Sequence, residues 1–116
     1  MRIGELAANS GVSVRSLRYY ETQGILLSSR TSGGHREYSD DAVDRVILIQ
    51  ELMAAGLTSA VIVELLPCIY SGTTTPAMIE RLRQQREDID RRARELLATR
   101  DRLDDLIIDA RHRLAV

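Results

Sequence analysis

The apolar positions of the last third of the chain form its most regular pattern. Positions 79, 82, 86, 89, 93, 96, 100, 103, 107, 110 and 114 alternate steps of three and four without a break. They hold Ile79, Leu82, Arg86, Ile89, Ala93, Leu96, Arg100, Leu103, Ile107, Ala110 and Leu114, while most intervening residues are Arg, Glu, Asp or Gln. A stripe this narrow predicts one long helix that buries its seam against a partner helix. Folding back on its own head is the competing arrangement. At 1.5 Å per residue, however, such a helix runs roughly 54 Å, longer than a head of the preceding residues is wide. Self-association is therefore the expectation. Arg86 and Arg100 occupy equivalent seam positions two heptads apart. Their stems can pack while the guanidinium groups reach flanking acids, and polar seam residues can select register or orientation. Parallel and antiparallel pairing both remain open on the sequence.

Shorter patterns precede it. Ile3, Leu6 and Ala7 share one side of a first helix, and Gly11 supplies a turn. Ser13 is a suitable N-cap for a second helix reaching about Gln23. Small Ala7, Gly11 and apolar Leu17 have helix-turn-helix spacing. Gly24 ends that helix. Ile25-Leu26-Leu27, a polar turn at Ser32-Gly33-Gly34, and His35–Tyr38 then read as a β-hairpin, or wing. Ser39 is the expected cap of a third helix with an apolar face of Val43, Val46, Ile47, Ile49 and Leu52, stopped by Gly56. Thr58 or Ser59 starts a short fourth helix, Ala60–Leu66, which Pro67 should break. The predicted fold is mainly α: a winged helix-turn-helix head over 1–70, a linker over 71–77, and a coiled-coil helix over 78–115.

The polar residues of the second helix point to DNA. Arg15 and Tyr19 lie four apart on one face, flanked by Arg18. Arg15 falls in the first turn, where a recognition helix addresses base edges, and bidentate contact with guanine is the commonest specific pairing. Arg18 and Tyr19 suit phosphate oxygens, which hold register. Tyr20 is expected to be partly core. Arg36 and Tyr38 alternate on a strand and should point together toward DNA backbone or minor groove. His35 points the other way or caps the turn, a structural role. The candidate DNA-contacting set is Ser13, Arg15, Arg18, Tyr19, Arg36 and Tyr38. The seam set is Ile79, Leu82, Arg86, Ile89, Ala93, Leu96, Arg100, Leu103 and Ile107.

Charge supports the placement. The formal net charge is −1, yet residues 1–38 carry five arginines against three acids, and residues 39–76 one against five. A positive N-terminal segment, residues 1–38, in an otherwise acidic to near-neutral chain fits a local phosphate-binding surface. Every basic residue is arginine, which base composition of the gene explains. A single cysteine excludes an internal disulfide framework and a paired-thiolate zinc site. That residue, Cys68, is the candidate thiol sensor, although isolated cysteines are usually packing residues. No apolar run approaches the roughly 18 residues of a membrane span, and no signal peptide opens the chain. The expectation is a cytoplasmic protein with no metal or cofactor. No Ser/His/Asp, paired-carboxylate or metal constellation emerges, so an enzyme is not expected.

Ile3-Gly-Glu-Leu-Ala7, Gly11-Val-Ser-Val-Arg15, Leu17-Arg-Tyr-Tyr-Glu21, Gly24 and Gly34-His-Arg-Glu-Tyr38 together resemble the MerR family of transcriptional regulators. The order of elements extends the likeness over nearly the whole chain. The resemblance implies a homodimer joined by an antiparallel coiled coil. It implies binding to a dyad-symmetric promoter with an overlong spacer, which the dimer bends and underwinds so that RNA polymerase can use both elements. By the same resemblance Arg15 reads bases, and Arg18, Tyr19, Arg36 and Tyr38 contact phosphates or groove edges. The chain departs at His35, where the family's wing commonly has tyrosine. It resembles a short form: neither the cysteine pair of metal-sensing members nor the larger domain of drug-sensing members occurs in these residues. Signalling at the linker near Cys68, or no small effector, remain the two routes. An excisionase-like architectural protein that bends DNA without controlling polymerase is the alternative class, and a subunit-pairing module whose head binds protein is a third.

Overall fold

The computed structural model describes residues 1–114. The elements run α1 (Ile3–Ser10), α2 (Val14–Thr22), β1 (Ser29–Arg30), β2 (Arg36–Glu37), α3 (Ala42–Ala54), α4 (Ser59–Ser71) and α5 (Pro76–Arg113). The chain divides into a head, Met1–Met78, and a second unit from Ile79 onward. Ala115, the expected end of the coiled-coil segment, lies outside the described residues.

The turn between α1 and α2 forms as the spacing predicts. Gly11 adopts φ 75° and its N–H closes on the Ala7 carbonyl at 3.0 Å. A Cβ here would meet nothing within 4 Å, so the need for glycine is conformational rather than steric. Ser13 caps α2, its Oγ accepting from the Ser16 N–H at 3.1 Å. Leu6 and Leu17 are fully buried where the two helices meet the core, which Ile25, Val46, Ile49 and Ile62 complete. These groups leave water entirely, and burial of this kind is worth about 1.5–3 kcal/mol per large aliphatic side chain.

Several local expectations need correction. The first strand is Ser29–Arg30, not Ile25–Leu27. The N–H groups of Ile25 and Leu26 are already engaged by the Tyr20 carbonyl at 2.9 and 3.2 Å, and both side chains enter the core. The wing is thus short: Ser29 pairs with Glu37, and Arg30 with Arg36, in antiparallel register. Ser39 does not cap α3. Asp41 holds the cap position, while the Ser39 carbonyl accepts from Ala42 N–H in the preceding turn. Ile47, expected on the apolar face of α3, remains exposed.

Pro67 does not end α4. The helix continues to Ser71. Proline cannot donate to the carbonyl four residues back, but the turn that follows is held independently. Ile69 is buried. The Tyr70 ring lies under the Arg45 guanidinium at 4.3 Å, and its hydroxyl oxygen accepts from Leu27 N–H at 2.7 Å. Gly72 closes the helix in the left-handed region, its N–H bonded to the Cys68 carbonyl. Helix therefore occupies both ends of the expected 71–77 linker. Pro76 is the first residue of α5, where its missing donor costs nothing, and Thr75 Oγ1 accepts from Met78 N–H at 3.2 Å.

Tyr38 is the largest departure from expectation. It does not point outward with Arg36: it is 2 % exposed, a member of the core. Regular pairing stops at Glu37, and the chain beyond it pairs instead with the start of the sequence. Tyr38 N–H donates to the Met1 carbonyl at 2.7 Å, and the Met1 amino group donates to the Tyr38 carbonyl at 2.6 Å. The alternation of an isolated strand therefore does not carry through position 38.

In the second unit α5 is regular and exposed, with pairs such as Arg91–Asp88 and Arg100–Asp101 along its surface. Each such pair contributes at most a few tenths of a kcal/mol. Of the seam residues, Ile79, Ile89, Leu96, Leu103 and Ile107 are uncovered, Leu96 by 71 %. Leu114, the last seam position, falls just past the helix end.

Burial, together with the hydrogen bond to Glu21, pushes the Tyr38 hydroxyl from its ordinary 10 up to about 12. A raised folded-state value means the stabilisation is complete below the unfolded value of 10 and is lost as pH climbs toward 12. The urea midpoint should fall across that window in the wild type and fall less in Tyr38→Phe. An equal fall in both would assign the alkaline loss to other groups.

Candidate nucleic-acid interface

The two faces of α2 differ sharply. Leu17 and Tyr20 are buried, and burial raises the Tyr20 hydroxyl above the usual tyrosine range. The other face presents Arg15, Arg18 and Tyr19, all exposed, Tyr19 by half. The division follows from period 3.6: burying positions 17 and 20 turns 15, 18 and 19 to solvent. Ser13, the remaining helix-side candidate, is exposed, and its hydroxyl is engaged in the cap and with Ser16 Oγ.

Beside this face lies an open cleft of about 490 Å³ between α2 and the wing. Arg2, Arg18, Arg30 and Arg36 all line it, with Thr22, His35 and the edge of Tyr38. Four guanidinium-bearing residues around one open cleft suit an anion with several oxygens, since each offers a planar fork of donors. The wing that carries two of them is braced locally. Thr31 N–H donates to the His35 carbonyl at 2.8 Å, Gly34 N–H to the Thr31 carbonyl at 2.9 Å, and Arg30 Nη1 to the Gly34 carbonyl at 2.9 Å. Gly34 sits at φ 81°, a conformation that glycine adopts without strain. His35 is exposed at this turn.

Glu21 joins the two elements. Its Oε2 lies 2.8 Å from Arg36 Nη1, and its Oε1 accepts from the Tyr38 hydroxyl. The sequence motif contains Glu21 without indicating its role, and no local pattern singles out Arg2 or Arg30. The available signal was a lone carboxylate ending a helix face otherwise rich in arginine.

The structure thus brings Arg18 and Arg36 together at the cleft and leaves Arg15 and Tyr19 on the outer face of α2. Tyr38 contributes only an edge. Cys68 lies near the end of α4, partly exposed, with Sγ 3.5 Å from Thr75 Oγ1, and does not line the cleft. Among the described residues no group of three or more His, Cys, Asp or Glu could hold a metal ion, and no helix is long and apolar enough to cross a membrane.

Comparison with known proteins agrees with this geometry. The family model for MerR helix-turn-helix regulatory proteins matches residues 1–68, and a second, described as MerR, DNA binding, matches 43–106. The nodulation protein NolA of Bradyrhizobium elkanii is 41 % identical over 106 residues, covering 90 % of this chain and 46 % of that protein. The chain thus spans just under half the length of that relative. The mercuric resistance operon regulatory protein of Bacillus cereus is 34 % identical, covering 87 % of this chain and 83 % of that protein. Among solved structures, the transcription regulator PbrR691 from Ralstonia metallidurans CH34, in complex with lead(II), superposes with a TM-score of 0.77 at 28 % identity, covering 91 % of this chain and 84 % of that one. HiNmlR, a MerR family regulator lacking the sensor domain and bound to promoter DNA, shares the fold at a TM-score of 0.62 and 23 % identity, covering 87 % of this chain and 78 % of that one. With its helix-turn-helix, its wing and more than half its length matched, this chain belongs to the MerR family of helix-turn-helix regulatory proteins.

Proposed function

We propose that this chain binds promoter DNA as a sequence-specific transcription regulator and works as a homodimer. The observation that carries the reading is the capped helix α2, with Arg15, Arg18 and Tyr19 outward, beside a cleft lined by four arginines. In this assignment Arg15 enters the major groove and reads a base edge. Arg18 and Arg36 hold phosphates on either side of the cleft and set the register. Tyr38 supports them from within the core rather than touching DNA.

Dimerisation rests on the uncovered seam of α5. Residues such as Leu96 and Leu103 would stay in water without a partner, and a second copy of the same stripe supplies one. A symmetric dimer presents two reading heads, so its DNA half-sites lie on one face near multiples of about 34–36 Å. A promoter whose half-sites do not match must bend or untwist, at a cost on the order of 1–6 kcal/mol for a short site. Distortion of the spacer, rather than recruitment of polymerase, is the mode of activation we assign. Polymerase is then an indirect partner.

Two measurements test this reading. On the duplex that the wild-type protein enriches from a random pool, Arg15→Ala should cost about 1–3 kcal/mol and relax preference at one position per half-site. Arg36→Ala should weaken the scrambled duplex as well as the selected one and lower the salt slope by about one unit, because a phosphate contact is lost on any sequence. Equal losses on both duplexes for Arg15→Ala would remove its base-reading role. For distortion, the spacer of the target promoter is shortened by one or two base pairs and transcribed in vitro. Activity without the protein, and repression with it, is the expected outcome; continued dependence on the protein would rule the mode out.

A further inference from the structure

We propose that Glu21 is a positioning residue of the DNA interface: its carboxylate directs the wing guanidinium of Arg36 by holding Arg36 and the Tyr38 hydroxyl at once. This inference rests on the DNA-binding reading above.

The geometry separates the two partners by burial. The Glu21 side chain is only 11 % exposed, whereas Arg36 is 52 % exposed. The acid is therefore the inner, fixed member, and the arginine is the outer, ligand-facing one. Arginine carries five N–H donors in a planar fork. Contact between Nη1 and Glu21 Oε2 orients that plane, and a phosphate could be met by the exposed remainder of the same fork. The anchor itself is well fixed. Glu21 belongs to the last turn of α2, so it moves with Arg15 and Arg18. Tyr38 is buried, and its backbone is bonded to Met1 in both directions. Its hydroxyl is held protonated to about pH 12, so it remains a donor to Glu21 through the physiological range.

The placement needs an explanation because a negative charge beside a cleft of four arginines works against anion binding. By charge alone, removing it should tighten binding to every duplex, through one more uncompensated cation and a steeper salt dependence. A positioning role predicts the opposite for the correct duplex. Two strands of two residues each offer the wing little rigidity of their own. An arginine already paired has less freedom to lose on binding than one that must be ordered by the ligand. Glu21 then holds the spacing between reading helix and wing, which discriminates between sequences even though Arg36 itself contacts only backbone.

Glu21→Gln is the informative substitution. It keeps an acceptor for the Tyr38 hydroxyl and cannot form the ion pair with Arg36. In the free protein, the wing amides of Thr31 and Gly34 should exchange on the order of fivefold to tenfold faster, while amides in α3 stay at wild-type rates. In binding, the ratio of affinities for the selected and a scrambled duplex should fall about fivefold or more, with the scrambled duplex bound as well as before or better. In an Arg36→Ala background the same substitution should leave that ratio unchanged, because the two residues act as one unit. Wild-type exchange of the wing amides, an unchanged ratio, or an equal fall without Arg36 would each overturn the proposal. A wild-type protein that binds neither duplex would instead overturn the DNA-binding reading, and one that binds both alike would overturn its sequence specificity; in either case the exchange rates would still decide whether Glu21 holds the wing.

Discussion

Burial of Tyr38 is the constraint on which the head depends. One residue ties the end of the wing to two parts of the chain distant in sequence, the N-terminus and the end of α2. Its backbone pairs with Met1, its ring enters the core with Ile25 and Leu26, and its hydroxyl reaches Glu21 at the end of α2. The wing begins and ends close to this point, so the direction of Arg36 follows from how Tyr38 is packed. A hairpin with two residues per strand would not hold a shape by its own ladder. Here the shape is imposed from the core outward, and surface chemistry inherits its precision from buried contacts.

The same logic explains what was legible in the sequence. The helices were readable because their stops are chemical: Gly11 and Gly56 take positive φ, and Ser13 and Thr58 accept the first free N–H groups. The outward row of α2 was readable because Leu17 and Tyr20 define its buried side. The wing was harder. Ile25-Leu26-Leu27 reads as a strand by composition, yet the first two of these residues close the end of α2. Nothing local distinguishes those uses, since the decisive partner is the Tyr20 carbonyl. Pro67 misled for a related reason. Its local effect is unfavourable, but Ile69, Tyr70 and Arg45 hold the following turn from elsewhere in the fold. The orientation of Tyr38 and the placement of Glu21 both depend on contacts across at least 15 positions, beyond the reach of strand alternation.

The long helix presents a different kind of information. Part of its charged surface is paired within the helix, as in Arg83–Glu80 and Arg91–Asp88, each three residues apart. Its apolar stripe is not. Ile89, Leu96, Leu103 and Ile107 are all exposed on a helix of 38 residues. Charge along α5 keeps the single chain in water, and the seam sets what it associates with. The proposed dimer would present the DNA-binding face twice and make the recognised sequence symmetric.

In the proposed dimer, two identical heads, brought together by this seam, read one duplex. Hydroxyl-radical footprinting on the duplex selected by the wild-type protein tests it most directly, with Leu96→Asp as the comparison. Two symmetric protected windows are expected on one face of the DNA, near a multiple of about 34–36 Å apart. Leu96→Asp, with a charge placed in the seam, should lose both windows at concentrations where the wild type is fully bound. A single unpaired window for the wild type, or an unchanged paired footprint for Leu96→Asp, would contradict it.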